Sequence, residues 1–167
     1  IQLCLMTAQI ANGGFKIYPK IIVDDKTKDQ PIDKFTPLYE DSKNIRIVQD
    51  AMFGSTNEVM GTSYRSRIND PKYQFAGKTG TAQVKKITER DRELDLKTFQ
   101  IPYEERDHAL YIAFGPYKQP RYALSILIEH GGNGSTTAAP MAKELFKLVI
   151  DRHTYRQSIN EKKYLEI

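Results

Sequence analysis

Lys78-Thr79-Gly80-Thr81 places a cation, two hydroxyls and a position without a side chain in four consecutive residues. On an extended strand, period-2 alternation sets Lys78 and Gly80 on one side and Thr79 and Thr81 on the other. The backbone edge then offers N–H and C=O groups to an extended peptide. An ammonium and hydroxyls together form a charge-assisted site for a carboxylate, and Gly80 removes a Cβ that would obstruct close approach. The backbone N–H of Thr81 is placed to donate to an oxyanion. Lys78, Thr79, Gly80 and Thr81 are therefore the candidate substrate-binding residues.

Other constellations carry less chemistry. His108, His130 and His153 show no ligand spacing and no His-Glu-x-x-His, so neither a metal site nor a triad is read from them. Asp24-Asp25 and the run from Asp91 to Glu93 lie in charge clusters typical of solvated loops, not of paired catalytic carboxylates. Gly77-Lys78-Thr79 has the ending of a phosphate-binding loop. However, position 72 is Lys72 where the first glycine belongs, and Ala82-Gln83-Val84 continues a strand where a helix should begin. No metal and no cofactor is called. The single cysteine, Cys4, lies among apolar residues and reads as core filler.

These residues need a frame, and 167 residues supply one hydrophobic core. With 40% hydrophobic and 28% charged residues the composition is that of a globular protein, which excludes disordered and collagen-like classes. The net charge of +4 comes from interspersed signs and calls for no nucleic acid. No apolar run approaches the roughly 18 to 20 residues of a membrane helix, so a soluble chain is expected. The opening at Ile1 without methionine, straight into an amphipathic pattern, suggests a piece cut from something longer.

Apolar spacing predicts a helix over 1–11, stopped at Asn12-Gly13-Gly14, then a short edge strand within 15–23 and a loop over 24–37. Asp41 or Ser42 caps a second helix reaching about Met60-Gly61. Strands follow at 73–84, 109–114 and 121–129, the last two antiparallel, with a charged, solvated excursion over 85–108. The strand at 122–128 is apolar on both parities, which predicts burial on both faces beneath helices. A last helix starts near Ser135–Thr137 with Pro140 in its first turn, and the charged tail from Asp151 frays. The fold class is α+β, three sequential antiparallel strands with flanking helices.

Gly77-Lys78-Thr79-Gly80-Thr81-Ala82-Gln83-Val84, Asp107-His108-Ala109-Leu110-Tyr111-Ile112-Ala113-Phe114-Gly115-Pro116-Tyr117, Glu129-His130-Gly131-Gly132 and Ala138-Ala139-Pro140 together resemble a known family. It is the C-terminal part of the transpeptidase domain of class B penicillin-binding proteins, in the elongation-specific branch, with Lys-Thr-Gly as its signature. The resemblance covers about residues 1–150, leaving 151–167 as a charged C-terminal tail, and implies a partial penicillin-binding transpeptidase (serine β-lactamase-like) fold. In the family's five-stranded sheet the first two strands come from upstream.

The resemblance implies a parent D,D-transpeptidase that cross-links peptidoglycan stem peptides ending in D-Ala-D-Ala and is acylated by β-lactams. Lys78 would maintain positive potential, Thr79 and Thr81 would bond the terminal carboxylate, and the Thr81 N–H would form half the oxyanion hole. The family's nucleophile stands in Ser-x-x-Lys, and none of Ser42, Ser55, Ser63, Ser66, Ser125, Ser135 or Ser158 has a lysine three residues on. This chain holds no nucleophile. Ser55-Thr56-Asn57 and Ser158-Ile159-Asn160 match Ser-x-Asn but lie after the position the family's motif should occupy, and are set aside. By the same resemblance the parent is anchored at the periplasmic face of the inner membrane beside a rod-shape membrane glycosyltransferase. Two alternatives stay open: a β-lactamase or β-lactam sensor relative, and a non-catalytic piece that self-associates through the open edge of 122–129.

Overall fold

The computed structural model describes residues 1–21, 36–86, 89–94 and 96–165, with backbone alone for 90–92 and 155–165. Helix α1 spans Gln2–Ala11 and α2 Ser42–Asn57. Strand β1 is Ala76–Ala82, α3 Glu89–Leu94, β2 His108–Gly115, β3 Tyr122–Ile128, and α4 Ala139–Leu165. The three strands form one antiparallel sheet in the order β1-β2-β3, with Thr79 opposite Tyr111 and Tyr111 opposite Ile126.

Local chemistry accounts for the helix ends. The Asp41 carboxylate accepts the Lys43 N–H at 2.8 Å and caps α2. That helix stops at Asn57, short of the expected Met60-Gly61, because Glu58 turns to extended backbone and Asn57 is pinned elsewhere. Its Nδ2 donates to the Phe75 carbonyl at 2.9 Å. The end of α1 is closed by the turn through Gly13 and Gly14. The Gln49 amide ties it to α2 by donating to the Ile10 carbonyl at 2.6 Å.

Helices cover both faces of the sheet. On one, Phe75, Tyr111, Ala113 and Phe146 of α4 are fully buried, with the Phe75 and Phe146 rings stacked at 4.9 Å. Each such aromatic side chain contributes about 1.5–3 kcal/mol of apolar burial. On the other, Met52 of α2, Ala76 and Phe114 form a smaller cluster joined by Ile10 and Ala11 of α1. Cys4 is half-buried against β3, its Sγ 3.4 Å from the Ala123 carbonyl.

Four further expectations are corrected. β3 is half-buried along most of its length, and Leu127 is 55% exposed. Its apolar faces lie on the edge strand of the described sheet, where one flank has no neighbour. In the expected edge strand over 15–23, the described residues form an isolated bridge, Phe15 to Pro37, and no regular strand; 22 and 23, with most of the loop at 24–37, lie outside the described residues. The charged excursion is not plain loop: it contains α3 and short turns at Thr98–Gln100 and Tyr103–Glu105, packed by the Tyr103 ring against His130 at 4.9 Å. Finally, the backbone from Asp151 does not fray but continues α4 to Leu165. Asp151 itself is held by Lys72 Nζ at 3.0 Å and the Tyr73 hydroxyl at 2.5 Å.

Candidate functional site

Lys78, Thr79, Gly80 and Thr81 all lie on β1, an edge strand of the described sheet. Cross-strand pairing keeps the expected alternation. Lys78 and Gly80 stand opposite Ile112 and Leu110, while Thr79 and Thr81 stand opposite Tyr111 and Ala109. Lys78 is exposed and donates from Nζ to the Thr79 carbonyl at 2.9 Å, with no carboxylate partner among the described residues. Thr81 is exposed and Thr79 half-buried. The strand therefore presents an unneutralised cation and two hydroxyls along one run of backbone, a composition suited to an anionic ligand laid beside it.

What holds this strand in place was only partly legible. Tyr111, beneath Thr79, buries its phenol in a hydroxyl cluster, 3.0 Å from Thr56 Oγ1 and 2.9 Å from Ser63 Oγ. Burial pushes the phenol above its ordinary pKa, and the two hydrogen bonds oppose that shift without reversing it. The cluster is thus neutral. It also explains Gly77: a Cβ there would lie 2.3 Å from the Tyr111 hydroxyl. Thr62, which sequence reasoning missed, places Oγ1 3.4 Å from Thr79 Oγ1 and 3.2 Å from Ser55 Oγ, so a row of hydroxyls leads from the end of α2 to β1.

A second support comes from the turn after β3. There Gly134 opens a π-helical turn, Gly134–Ala138, whose entry is capped by Asn133 accepting the Ser135 N–H at 2.8 Å. A Cβ on Gly134 would fall 2.4 Å from the Leu110 carbonyl oxygen and 2.8 Å from that of Gly80, so the turn packs backbone to backbone against the candidate strand. The contact of Gly134 with Gly80 is a tertiary fact without a local signal.

The remaining candidates disperse. His108 and His130 come together with rings 4.8 Å apart: His108 Nδ1 accepts the His130 N–H at 2.9 Å, and His130 Nδ1 donates to the Arg106 carbonyl at 3.1 Å. Both bonds fasten the turn, in which His130 adopts φ 55°. His153 lies elsewhere, accepting from Arg121 at 2.8 Å. Among the described residues no group of three His, Cys, Asp or Glu side chains converges. Ser55 bonds Thr62, Ser63 bonds Tyr111, and Ser135 bonds Asn133, so none of these serines meets a lysine or histidine base. No helix among the described residues is long and apolar enough to cross a membrane.

Comparison with known proteins extends this geometry. The penicillin binding protein transpeptidase domain model matches residues 1–147. The chain is 29% identical over 163 residues to peptidoglycan D,D-transpeptidase MrdA of Salmonella typhimurium, covering 90% of this chain and 25% of that protein. To MrdA of Acinetobacter baumannii it is 33% identical over 156 residues, covering 87% of this chain and 21% of that one. Among solved structures, the complex between penicillin-binding protein PBP2 and MreC from Helicobacter pylori aligns with a TM-score of 0.67. Its identity is 29% over 89% of this chain and 24% of the solved one. The chain thus spans about a quarter of the length of the relatives it matches.

Proposed function

Since this chain belongs to the penicillin-binding-protein transpeptidase domain family, we propose that it is the C-terminal part of a D,D-transpeptidase of the PBP2 type, the part that supplies the carboxylate-binding and oxyanion strand. The observation that carries this reading is the position of Lys78-Thr79-Gly80-Thr81 on edge strand β1, with Lys78 unneutralised, within the matched span 1–147. Residues 1–150 form this portion and 151–167 its C-terminal extension.

In this reading a serine from an upstream Ser-x-x-Lys attacks the D-Ala-D-Ala carbonyl. The acyl group is then transferred to an amine of a neighbouring stem peptide. The Thr79 and Thr81 hydroxyls bind the terminal carboxylate and Lys78 supplies positive potential beside it. The Thr81 N–H donates to the tetrahedral oxyanion, a contribution of about 3 kcal/mol in comparable sites. β-Lactams enter as substrate mimics and stay as esters of the same serine. The parent works at the periplasmic face of the inner membrane beside a rod-shape membrane glycosyltransferase.

Intact mass after incubation with a penicillin tests this, on the 167-residue chain and on a chain extended upstream through Ser-x-x-Lys. The expected result is an adduct on the extended chain alone. An adduct on neither would overturn the reading, and one on the short chain would reveal a different nucleophile.

A second reading applies to the 167-residue chain by itself and is favoured by the open flank of β3, where Leu127 is exposed. An unpaired apolar edge strand templates pairing with another chain. The short chain is inactive and self-associates through 122–129; strictly monomeric sedimentation at high concentration would count against this.

A further inference from the structure

Two clefts adjoin on the Thr79 side of β1. The first, of about 560 Å³, takes in Thr62, Tyr64, Ser135, Thr136 and Val59. The second, of about 330 Å³, is lined by Arg65, Arg67, Ile68, Asn69, Lys143 and Lys147. Arg65 and Lys143 border both, so the pair forms one groove leading from α4 to Thr62, itself 3.4 Å from Thr79.

The charge in this groove is unbalanced. Four cations face a single carboxylate, Glu144, whose oxygen is 3.8 Å from Lys147 Nζ with both side chains solvated. Arg65 and Lys143 have no carboxylate partner among the described residues. Arg67 is pre-set: its guanidinium stacks 3.8 Å above the Tyr64 ring and donates to the Tyr64 carbonyl at 3.3 Å, which leaves the rest of the fork free. Concentrating like charges without partners is unfavourable in the free protein, and an anion relieves it. The groove also has hydroxyls and the apolar Val59, which is 75% exposed, beside Met60 at 93%. Cations for carboxylates, hydroxyls for amides and apolar side chains for methyl groups match an acidic peptide better than a uniform polyphosphate.

We propose that this groove binds a peptide bearing several carboxylates, the stem peptide that supplies the attacking amine. Its acidic groups lie on Arg65, Arg67, Lys143 and Lys147, and its amine end is directed past Thr62 toward β1. This inference rests on the transpeptidase reading for the identity of the peptide, whereas the preference for carboxylates rests on the groove alone.

The test is binding of a synthetic acidic stem peptide, and of the same peptide with its carboxylates amidated, to the 167-residue chain, followed by calorimetry and amide NMR shifts at two salt concentrations. The free-carboxylate form should bind at least about 10-fold tighter. That preference should weaken with salt, disappear in Lys143→Gln/Lys147→Gln, and survive in Lys118→Gln, which lies in a different cleft. Arg65→Gln, at an exposed position, provides a second variant should the double one fold poorly. Equal binding of the two peptides, a preference retained in both groove variants, or tighter binding of inorganic polyphosphate than of the peptide would overturn the proposal. Penicillin acylation of the extended chain is read separately: its absence overturns the transpeptidase reading, while loss of the carboxylate preference overturns this one.

Discussion

Two basic regions of this molecule treat their cations in opposite ways. Around the cleft beside the 115–122 turn, Lys72 is bonded to Asp151 and Tyr73, and Arg121 donates to His153. Along the groove beside β1, Arg65 and Lys143 form no salt bridge among the described residues, and neither does Lys78 on the other side of that strand. A cation whose partner comes from its own chain is spent on holding elements together. Here Lys72 and Tyr73, just before β1, are tied to α4. A cation left without one keeps its field for something that arrives from outside.

The sharpest way to break this contrast is Thr81→Pro in the extended chain, which removes the N–H that the β1 region is proposed to contribute. Penicillin acylation should fall on the order of 10²-fold, with the melting temperature recorded alongside; undiminished acylation would sink the oxyanion role. Next is Gly134→Ala, which forces a Cβ against the Leu110 and Gly80 carbonyls. It should destabilise the fold by about 1–3 kcal/mol in urea denaturation, as other overpacked sites do, and an unchanged midpoint would mean that the turn moves freely from β1. Tyr111→Phe removes the hydroxyl shared by Thr56 and Ser63. A loss of about 1 kcal/mol is expected, and no loss would show that those two hydroxyls satisfy each other.

The smallest effect belongs to the paired region. Hydrogen bonds from Tyr73 and then Lys72 hold the Asp151 carboxyl below its ordinary value of 3.8. A lowered folded-state pKa stabilises the protein above that ordinary value, and the contribution disappears as pH falls through the folded one. Asp151→Asn should therefore flatten the stability profile in the acid range below about pH 4, measured as denaturation midpoints at stepped pH. Lys143→Gln in the same assay should show no loss of stability, since no internal partner is removed. A clear loss there would erase the distinction between the two regions.

Much of the frame was legible because it rests on local rules. Asp41-Ser42 before an amphipathic run marked the start of α2, and apolar or β-branched runs bounded by turn residues marked all three strands within a few residues. Lys78 to Thr81 were legible as a unit because alternation and residue type alone describe a strand that can hold an anion. What stayed hidden depends on distant partners. Thr62 and Tyr111 reach the site through contacts across 17 and 55 residues. The apolar pattern at 122–128 describes which side chains avoid water, not whether a further strand lies alongside; the open edge of β3 was expected only from the resemblance to the family's five-stranded sheet. Asp151 looked like the start of a loose tail because its partners, Lys72 and Tyr73, lie 79 and 78 positions away.

Where Gly134 meets Gly80, main chain touches main chain with no side chain between them. The spacing between β1 and the entry to α4 is therefore set by peptide atoms, which every sequence shares, while the groove walls are made of side chains. Ser135, Thr136, Lys143 and Tyr64 can be exchanged without resetting that distance. The arrangement works as a fixed hinge plate carrying replaceable cladding, and the choice of ligand can be retuned along the wall while the strand that faces it stays in register.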